Sequence, residues 1–175
     1  MDEKQLKAML KETFDTVSGG YDSEALRFFQ ASAEHMPVLL GLQGNENVLD
    51  VACGTGNVAL AIAKFLPTGQ VTALDFSSGM LDQARRKAAS LDVRNVEFIE
   101  RDMENLKFSD GLFDVAVCAF GIFFVEDMEN QLSTKDQEQF KREHLDEVET
   151  LRTRDGIWLD VGVLFTSGKR GWIRK

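Results

Sequence analysis

Cysteine is scarce in this chain. Cys53 and Cys118 are its only two, too few for a disulfide framework, and free thiols in a reducing cytosol are the expectation. Neither sits in a C-x-x-C spacing or beside an activating base, so packing rather than redox chemistry is the reading for both. Histidine is as sparse: His35 and His144 are isolated in charged, helical surroundings, which makes a poor metal site, and no metal is expected. Long apolar runs are missing too. None approaches the roughly 20 residues that span a bilayer. The first seven residues are charged and lack the apolar core of a signal peptide, so a cytoplasmic protein is expected.

Positive charge is also in short supply. Twenty Lys and Arg stand against 29 Asp and Glu, a formal net charge of -9. A nucleic-acid partner requires a basic face, because phosphate contacts supply most of that affinity. The one basic cluster, Lys169 to Lys175 with Arg170 and Arg174, lies at the C-terminus and reads as solvated charge. Neither a nucleic-acid nor a membrane partner is therefore expected. What remains is ordinary for a soluble globular protein of one domain, with 43% hydrophobic and 28% charged residues.

Two textures follow one another along the chain. Leu6, Met9, Leu10 and Phe14 recur at helical spacing until Ser18-Gly19-Gly20 interrupts them, and Leu26 to Leu40 reads as a second helix. From residue 47 short apolar strands alternate with helices. Val48 to Ala52 is the first strand, and Asn57 opens a helix that Pro67-Thr68-Gly69 closes. Val71 to Leu74 is the second strand, ending at Asp75, and Ser77 or Ser78 caps the helix after it. Val96 to Ile99 and Val115 to Ala119 are the third and fourth strands. This alternation predicts βαβ units and a doubly wound, mostly parallel α/β sheet preceded by N-terminal helices. The expected organisation is a single domain over 1–175: a helical segment 1–46, a ligand-binding core 47–127, and a helix plus terminal strand 128–175.

Ligands of such sheets bind at the carboxyl ends of the strands. Gly54-Thr55-Gly56-Asn57-Val58-Ala59 formally fits G-x-G-x-x-G/A, a pattern that several nucleotide classes share. The acids narrow the choice. Asp50 lies four positions before Gly54, where a carboxylate repels a pyrophosphate and attracts an ammonium or sulfonium. Asp75 follows 25 residues later, where an acid can accept both ribose hydroxyls, although capping a helix is its alternative role. Asp102, with Met103 beside it, follows the third strand. No Lys or Arg accompanies the glycine turn. The implied ligand is a nucleoside with a cationic tail and no phosphate.

These residues carry a specific resemblance. V-L-D-V-A-C-G-T-G resembles the first motif of class I S-adenosylmethionine-dependent methyltransferases, with Ala52 in place of the usual first glycine. V-T-A-L-D-F-S-S-G-M-L, F-I-E-R-D-M and F-D-V-A-V-C-A-F-G resemble the next three in order and spacing, over about residues 47–127. The resemblance implies a Rossmann-like methyltransferase fold, S-adenosyl-L-methionine as cofactor with S-adenosyl-L-homocysteine as product, and a small-molecule methyl acceptor. It implies that Gly54 and Gly56 pass under the methionine moiety while Asp50 organises the loop and the ammonium. Asp75 would hold the ribose, Phe76 or Met80 would cover the adenine, Asp102 would accept from its amino group and Met103 would pack on it. Ala119 would offer a backbone carbonyl to the methionine amine. Tyr21-Asp22 resembles the Y-D pair often found before the first strand, which places Tyr21 over the methionine. Met80 and Met103 would serve equally well as core filler.

After Val125-Glu126-Asp127 the pattern departs from the family. A polar helix through Phe140, Leu145, Val148 and Leu151 is expected, then a strand from Ile157 to Thr166 that resembles the last strand of longer relatives. The expectation is a shortened fold lacking about 80 to 100 residues of an ordinary domain. An uncovered fourth strand then predicts a homodimer or domain-swapped assembly. Three readings follow: a small-molecule methyltransferase, a cofactor-binding module with little or no turnover, and an NAD-dependent oxidoreductase, which Asp50 argues against. No catalytic side chain is identified.

Overall fold

The computed structural model describes residues 3–121 and the backbone of two short strands, Arg152–Thr153 and Gly156–Ile157. The chain divides into two units, Met1–Glu126 and Asp127–Lys175. In the first unit, helices α1 (Glu3–Val17) and α2 (Arg27–Leu39) precede an alternation of β1 (Asn47–Val51), α3 (Asn57–Phe65), β2 (Gln70–Asp75), α4 (Ser78–Ser90), β3 (Val96–Glu100) and β4 (Val115–Val117). The second contains β5 (Arg152–Thr153) paired antiparallel with β6 (Gly156–Ile157).

The four strands of the first unit form one sheet in the order β3-β2-β1-β4, every pair parallel. The chain steps outward from β1 to β2 and β3, then returns to the other side of β1 for β4. α3 and α4 lie in the β1–β2 and β2–β3 crossovers, while the β3–β4 connection is turn and coil; the parallel order with its return past β1 is the Rossmann-like arrangement expected from the sequence. The reversal of strand order falls between β1 and β4, and a crevice opens there at the strands' carboxyl ends.

The core follows from the apolar strands. Val48, Val71, Ala73 and Leu74 are at most 1% exposed, as befits parallel strands covered on both faces. α3 is apolar around most of its circumference: Val58, Ala59, Leu60, Ile62 and Ala63 are all buried, so it lies inside the protein, with α2 packed over it. α2 ends where Gly41 takes a positive φ of 65° just beyond its C-cap, Leu40.

The N-terminal helices are fastened to the sheet at particular points. Ser77 caps α4, its Oγ accepting from the Met80 amide at 3.1 Å. That hydroxyl donates to Asp15 Oδ1 of α1 at 2.6 Å, and the same oxygen accepts the Gly79 amide at 2.8 Å. One carboxylate of α1 thus completes the amino end of α4.

Several boundaries differ from expectation: β1 is shifted back by one residue to Asn47–Val51, leaving Ala52 beyond it, and β2 begins one residue earlier, at Gln70. A 3₁₀ turn, Glu24–Leu26, replaces the first turn of the second helix. β3 runs one residue further, to Glu100. β4 stops at Val117, because Phe120 adopts a positive φ of 59° and the chain turns away, leaving Ala119 beyond the strand. The expected helix through Phe140 to Leu151, and the strand beyond Ile157, lie outside the described residues.

Candidate cofactor site

Two adjoining clefts open at the carboxyl ends of the strands and share Ala52, Asp75 and Phe76. The larger holds about 600 Å³, including the part open to solvent. Its floor is the glycine turn (Ala52, Cys53, Gly54, Thr55) with Asn57 and Val58, and Ala119, Phe120 and Gly121 wall it on the β4 side. Phe14, Tyr21 and Phe29 reach it from the N-terminal segment, and Phe76 and Met80 from the end of β2 and the start of α4. The smaller, about 480 Å³, lies over the ends of β2 and β3 between Lys7 and Leu10 of α1 and Arg101, Asp102, Met103 and Glu104.

Asp75 sits at the junction. It is 6% exposed; Oδ2 accepts the Gly54 amide at 2.8 Å and Oδ1 the Ser77 amide at 2.9 Å. An ionised carboxylate has about four acceptor sites, so these bonds leave capacity for a ligand hydroxyl. Burial raises its pKa above the ordinary carboxylate value, against the backbone amides of Ser77, Gly54 and Phe76. Helix capping and ligand binding, the two roles weighed for this acid, are geometrically compatible.

Asp50 lies beneath the turn. It is 1% exposed, lines neither cleft, and accepts a hydrogen bond from the Ala59 amide in the first turn of α3. Its Oδ2 has no hydrogen-bond partner among the described residues. Burial pushes its pKa up to about 8, and nearby Asp75 adds to the rise. Gly56 also stands outside the cleft walls. Its φ of 81° makes the turn into α3, and a Cβ there would lie 3.0 Å from the Ala84 Cβ. Asp50 and Gly56 therefore shape the turn from behind.

Ala52 and Phe120 carry positive φ values of 56° and 59°, unusual for residues with side chains. Both line the larger cleft, just beyond the ends of β1 and β4. The usual glycine at the Ala52 position is explained by this left-handed backbone. Such strained conformations cluster at functional sites.

Asp102 lines the smaller cleft with Met103, and its Oδ1 accepts the Glu104 amide at 2.9 Å. Its other oxygen pairs with Lys7 at 3.2 Å, and Lys7 also pairs with Glu104. Lys11 donates to the Phe76 carbonyl at 2.6 Å and pairs with Glu100. Tyr21 stacks on Phe29 with ring centroids 5.3 Å apart and an interplanar angle of 9°, and Phe120 meets Phe29 edge-on at 4.9 Å. Burial, with the charges of Asp75 and Asp22, raises the Tyr21 pKa, so its phenol stays protonated.

Of the residues singled out by sequence, Tyr21, Ala52, Gly54, Asp75, Phe76, Met80 and Ala119 line the larger cleft, and Asp102 and Met103 the smaller. Phe14, Phe29, Thr55, Asn57 and Phe120 were not among them. The first two belong to helices whose apolar residues read equally well as core, and only the tertiary fold brings them over the strand ends. Among the described residues no group of three or more His, Cys, Asp or Glu could hold a metal ion.

The side chains fit a phosphate-free nucleoside. Among the described residues the larger cleft has no Lys or Arg in its wall and one carboxylate, Asp75, at the junction, and the space above Gly54 is open: a Cβ there would meet nothing within 4 Å.

Comparison with known proteins places this geometry in a lineage. Among solved structures, the fold is similar to that of a putative S-adenosyl-L-methionine-dependent methyltransferase from Methanococcus maripaludis, with a TM-score of 0.56 and 23% identity over 67% of this chain and 53% of that one. It is also similar to a phosphoethanolamine N-methyltransferase of Haemonchus contortus, with a TM-score of 0.54 and 19% identity over 67% of this chain and 26% of that one. In sequence, a demethylmenaquinone methyltransferase of Staphylococcus aureus (strain JH9) is 34% identical over 131 residues, 72% of this chain and 54% of that protein. The chain thus spans about half the length of the curated relatives it matches. The family model described as a methyltransferase domain matches residues 48–136, which takes in β1 to β4 and both clefts' strand ends, and the chain belongs to that family.

Proposed function

We propose that this chain binds S-adenosyl-L-methionine and serves the transfer of its methyl group to a small-molecule acceptor. The observation that carries the reading is the pair of carboxylates, Asp75 and Asp102, at successive strand ends of a cleft system whose larger part has no basic side chain among the described residues of its wall. A dinucleotide's pyrophosphate would meet no described cation in that larger part and Asp75 at its edge, Lys7 and Arg101 lining only the smaller cleft.

The cofactor supplies an electrophilic methyl group on a sulfonium centre. The protein's part is to position the reactants and exclude water. Asp75 accepts the ribose hydroxyls with the lone pairs that Gly54 and Ser77 leave free. Asp102 accepts the adenine amino group and Met103 packs on the ring, while Phe76 and Met80 border the same region. Gly54 lets the backbone run close beneath the methionine moiety, and the Ala119 carbonyl receives its amine. Asp50 and Gly56 hold the turn in shape. Phe14, Tyr21, Phe29 and Phe120 keep water from the methyl end. That aromatic wall supports an apolar, ring-bearing acceptor, in keeping with the acceptor named for the staphylococcal relative.

No helix among the described residues is long and apolar enough to cross a membrane, which accords with a cytoplasmic location. β4 pairs with β1 alone among the described residues, which supports a homodimer or domain-swapped assembly completing the sheet. A compact monomer in sedimentation at micromolar concentration would remove that part of the reading.

Calorimetry with S-adenosylmethionine, S-adenosylhomocysteine and NAD tests the ligand class: micromolar binding of the first two and none of NAD is expected, and the reverse sinks the proposal. A transfer assay with labelled cofactor over a panel of quinols, phenols and amines tests turnover. Tight binding with no transfer to any acceptor favours the competing reading, a cofactor-binding module.

A further inference from the structure

Outside the cleft, one carboxylate joins three separate parts of the chain. Asp22 follows Tyr21 in the connection between α1 and α2. Its Oδ1 accepts from Thr55 Oγ1 of the glycine turn at 2.8 Å and from Asn57 Nδ2 at the start of α3 at 3.0 Å. Its Oδ2 pairs with Lys87 of α4 at 2.9 Å. Lys87 closes the ring by donating to Asn57 Oδ1 at 2.6 Å. Burial works against the Asp22 charge, but the bonds from Lys87, Thr55 and Asn57 outweigh it and its pKa is lowered.

Nothing in methyl transfer calls for these bonds, and Asp22 lines neither cleft. Their effect is mechanical. Thr55 is 2% exposed and adjoins Gly54, so its side-chain bond fixes the conformation of the turn whose backbone approaches the ligand. The same carboxylate is one residue from Tyr21, whose ring lines the larger cleft and stacks on Phe29. We propose that Asp22 is a positioning residue for the cofactor: it clamps the aromatic N-terminal cover to the glycine turn, making closure of the cover and ordering of the turn one event. The two sites are then linked reciprocally, so a ligand on the turn stabilises the closed cover to the degree that the closed cover tightens the ligand.

This inference rests on the cofactor reading, and its test separates the two. Tyr21 is the chain's one tyrosine, so 3-fluorotyrosine labelling gives a single fluorine resonance on the cover. In the wild type, S-adenosylhomocysteine is expected to bind and to sharpen and shift that resonance. Asp22→Ala should weaken binding about five- to tenfold, the scale of charged hydrogen bonds at a half-exposed site, and should leave the resonance at its ligand-free position until higher ligand concentration. Asp22→Asn keeps an acceptor for Thr55 and Asn57 but turns an amide donor toward Lys87, and should fall between wild type and Asp22→Ala. If Asp22→Ala does not fold, Lys87→Met opens the ring from its other side and should reproduce the Asn effect. Wild-type affinity together with a wild-type fluorine response in these variants overturns the clamp and leaves the cofactor reading intact. A wild type that binds no S-adenosylhomocysteine overturns the cofactor reading. The clamp is then decided by whether Asp22→Ala shifts the ligand-free resonance; an unchanged one overturns it.

Discussion

Asp75 Oδ2 accepts the Gly54 amide at 2.8 Å, so the acid that ends β2 is fastened to the turn that leaves β1. The bond aims the carboxylate across the junction of the two clefts before any ligand arrives. Asp75→Ala is expected to weaken S-adenosylhomocysteine binding by about 1–3 kcal/mol, the range for charged hydrogen bonds. Calorimetry measures it, and unchanged affinity would remove Asp75 from the site.

Asp50 predicts a pH dependence of folding. Its folded pKa of about 8 stands above the ordinary 3.8. Between those values the native state keeps a proton that the unfolded chain has released. Stability from this group is therefore complete below about pH 4 and is lost as pH rises to about 8, with a slope of at most about 1.4 kcal/mol per pH unit. Asp50→Asn removes the titration. Denaturant unfolding should show a flatter stability profile across that window, the variant gaining on wild type toward pH 8. Parallel profiles would contradict the buried, protonated acid.

The left-handed backbone at Ala52 predicts an uncommon outcome, stabilisation by glycine. Relief of a conformation costing about 1–2 kcal/mol exceeds the added unfolded-chain entropy of about 0.4–1 kcal/mol. Ala52→Gly should raise stability by roughly 0.5–1 kcal/mol, which shifts Tm upward by about 1–4 °C in a chain of this size. A lower Tm would show that the Ala52 methyl contributes packing worth more than the strain.

Gly54 and Gly56 share positive φ but differ in surroundings. Alanine at 56 would press on the Ala84 Cβ at 3.0 Å and the Phe98 ring at 3.4 Å, whereas at 54 it would meet open cleft. Gly56→Ala is expected to cost about 2–3 kcal/mol of stability, strain and crowding together, and Gly54→Ala about 1–2 kcal/mol from strain alone. Cofactor affinity should show the opposite order, Gly54→Ala losing more. Thermal melts and calorimetry on the two variants check both halves.

The sheet was legible in the sequence because its strands are short apolar runs separated by helices with their own caps, and a parallel sheet buried on both faces requires that pattern. Ser77 stands where a cap is written. β4 was overextended, since Cys118 and Ala119 continue the apolar run while the backbone reversal depends on Phe120, a residue type that gives no warning of a positive φ. The acids at the strand ends were legible because a charge at the end of an apolar run has few structural uses. Their division of labour was not: Asp50 and Asp75 look alike in sequence, and only the packing of α3 puts one beneath the turn and the other in the cleft. The aromatic cover was legible at Tyr21 alone, because Phe14 and Phe29 obey the same periodicity as core residues.

The oxygen of Asp15 that holds both Ser77 and Gly79 bears on where this domain can be cut. The family match begins at residue 48, which invites a trimmed protein starting there. Such a fragment would keep all of the parallel sheet but Asn47, together with both glycines of the turn, yet the amino end of α4 would lose its outside partner and the smaller cleft its lining at Lys7 and Leu10. The smallest unit able to close around a ligand begins upstream, with α1, so the first forty-odd residues belong to the machine rather than to its packaging.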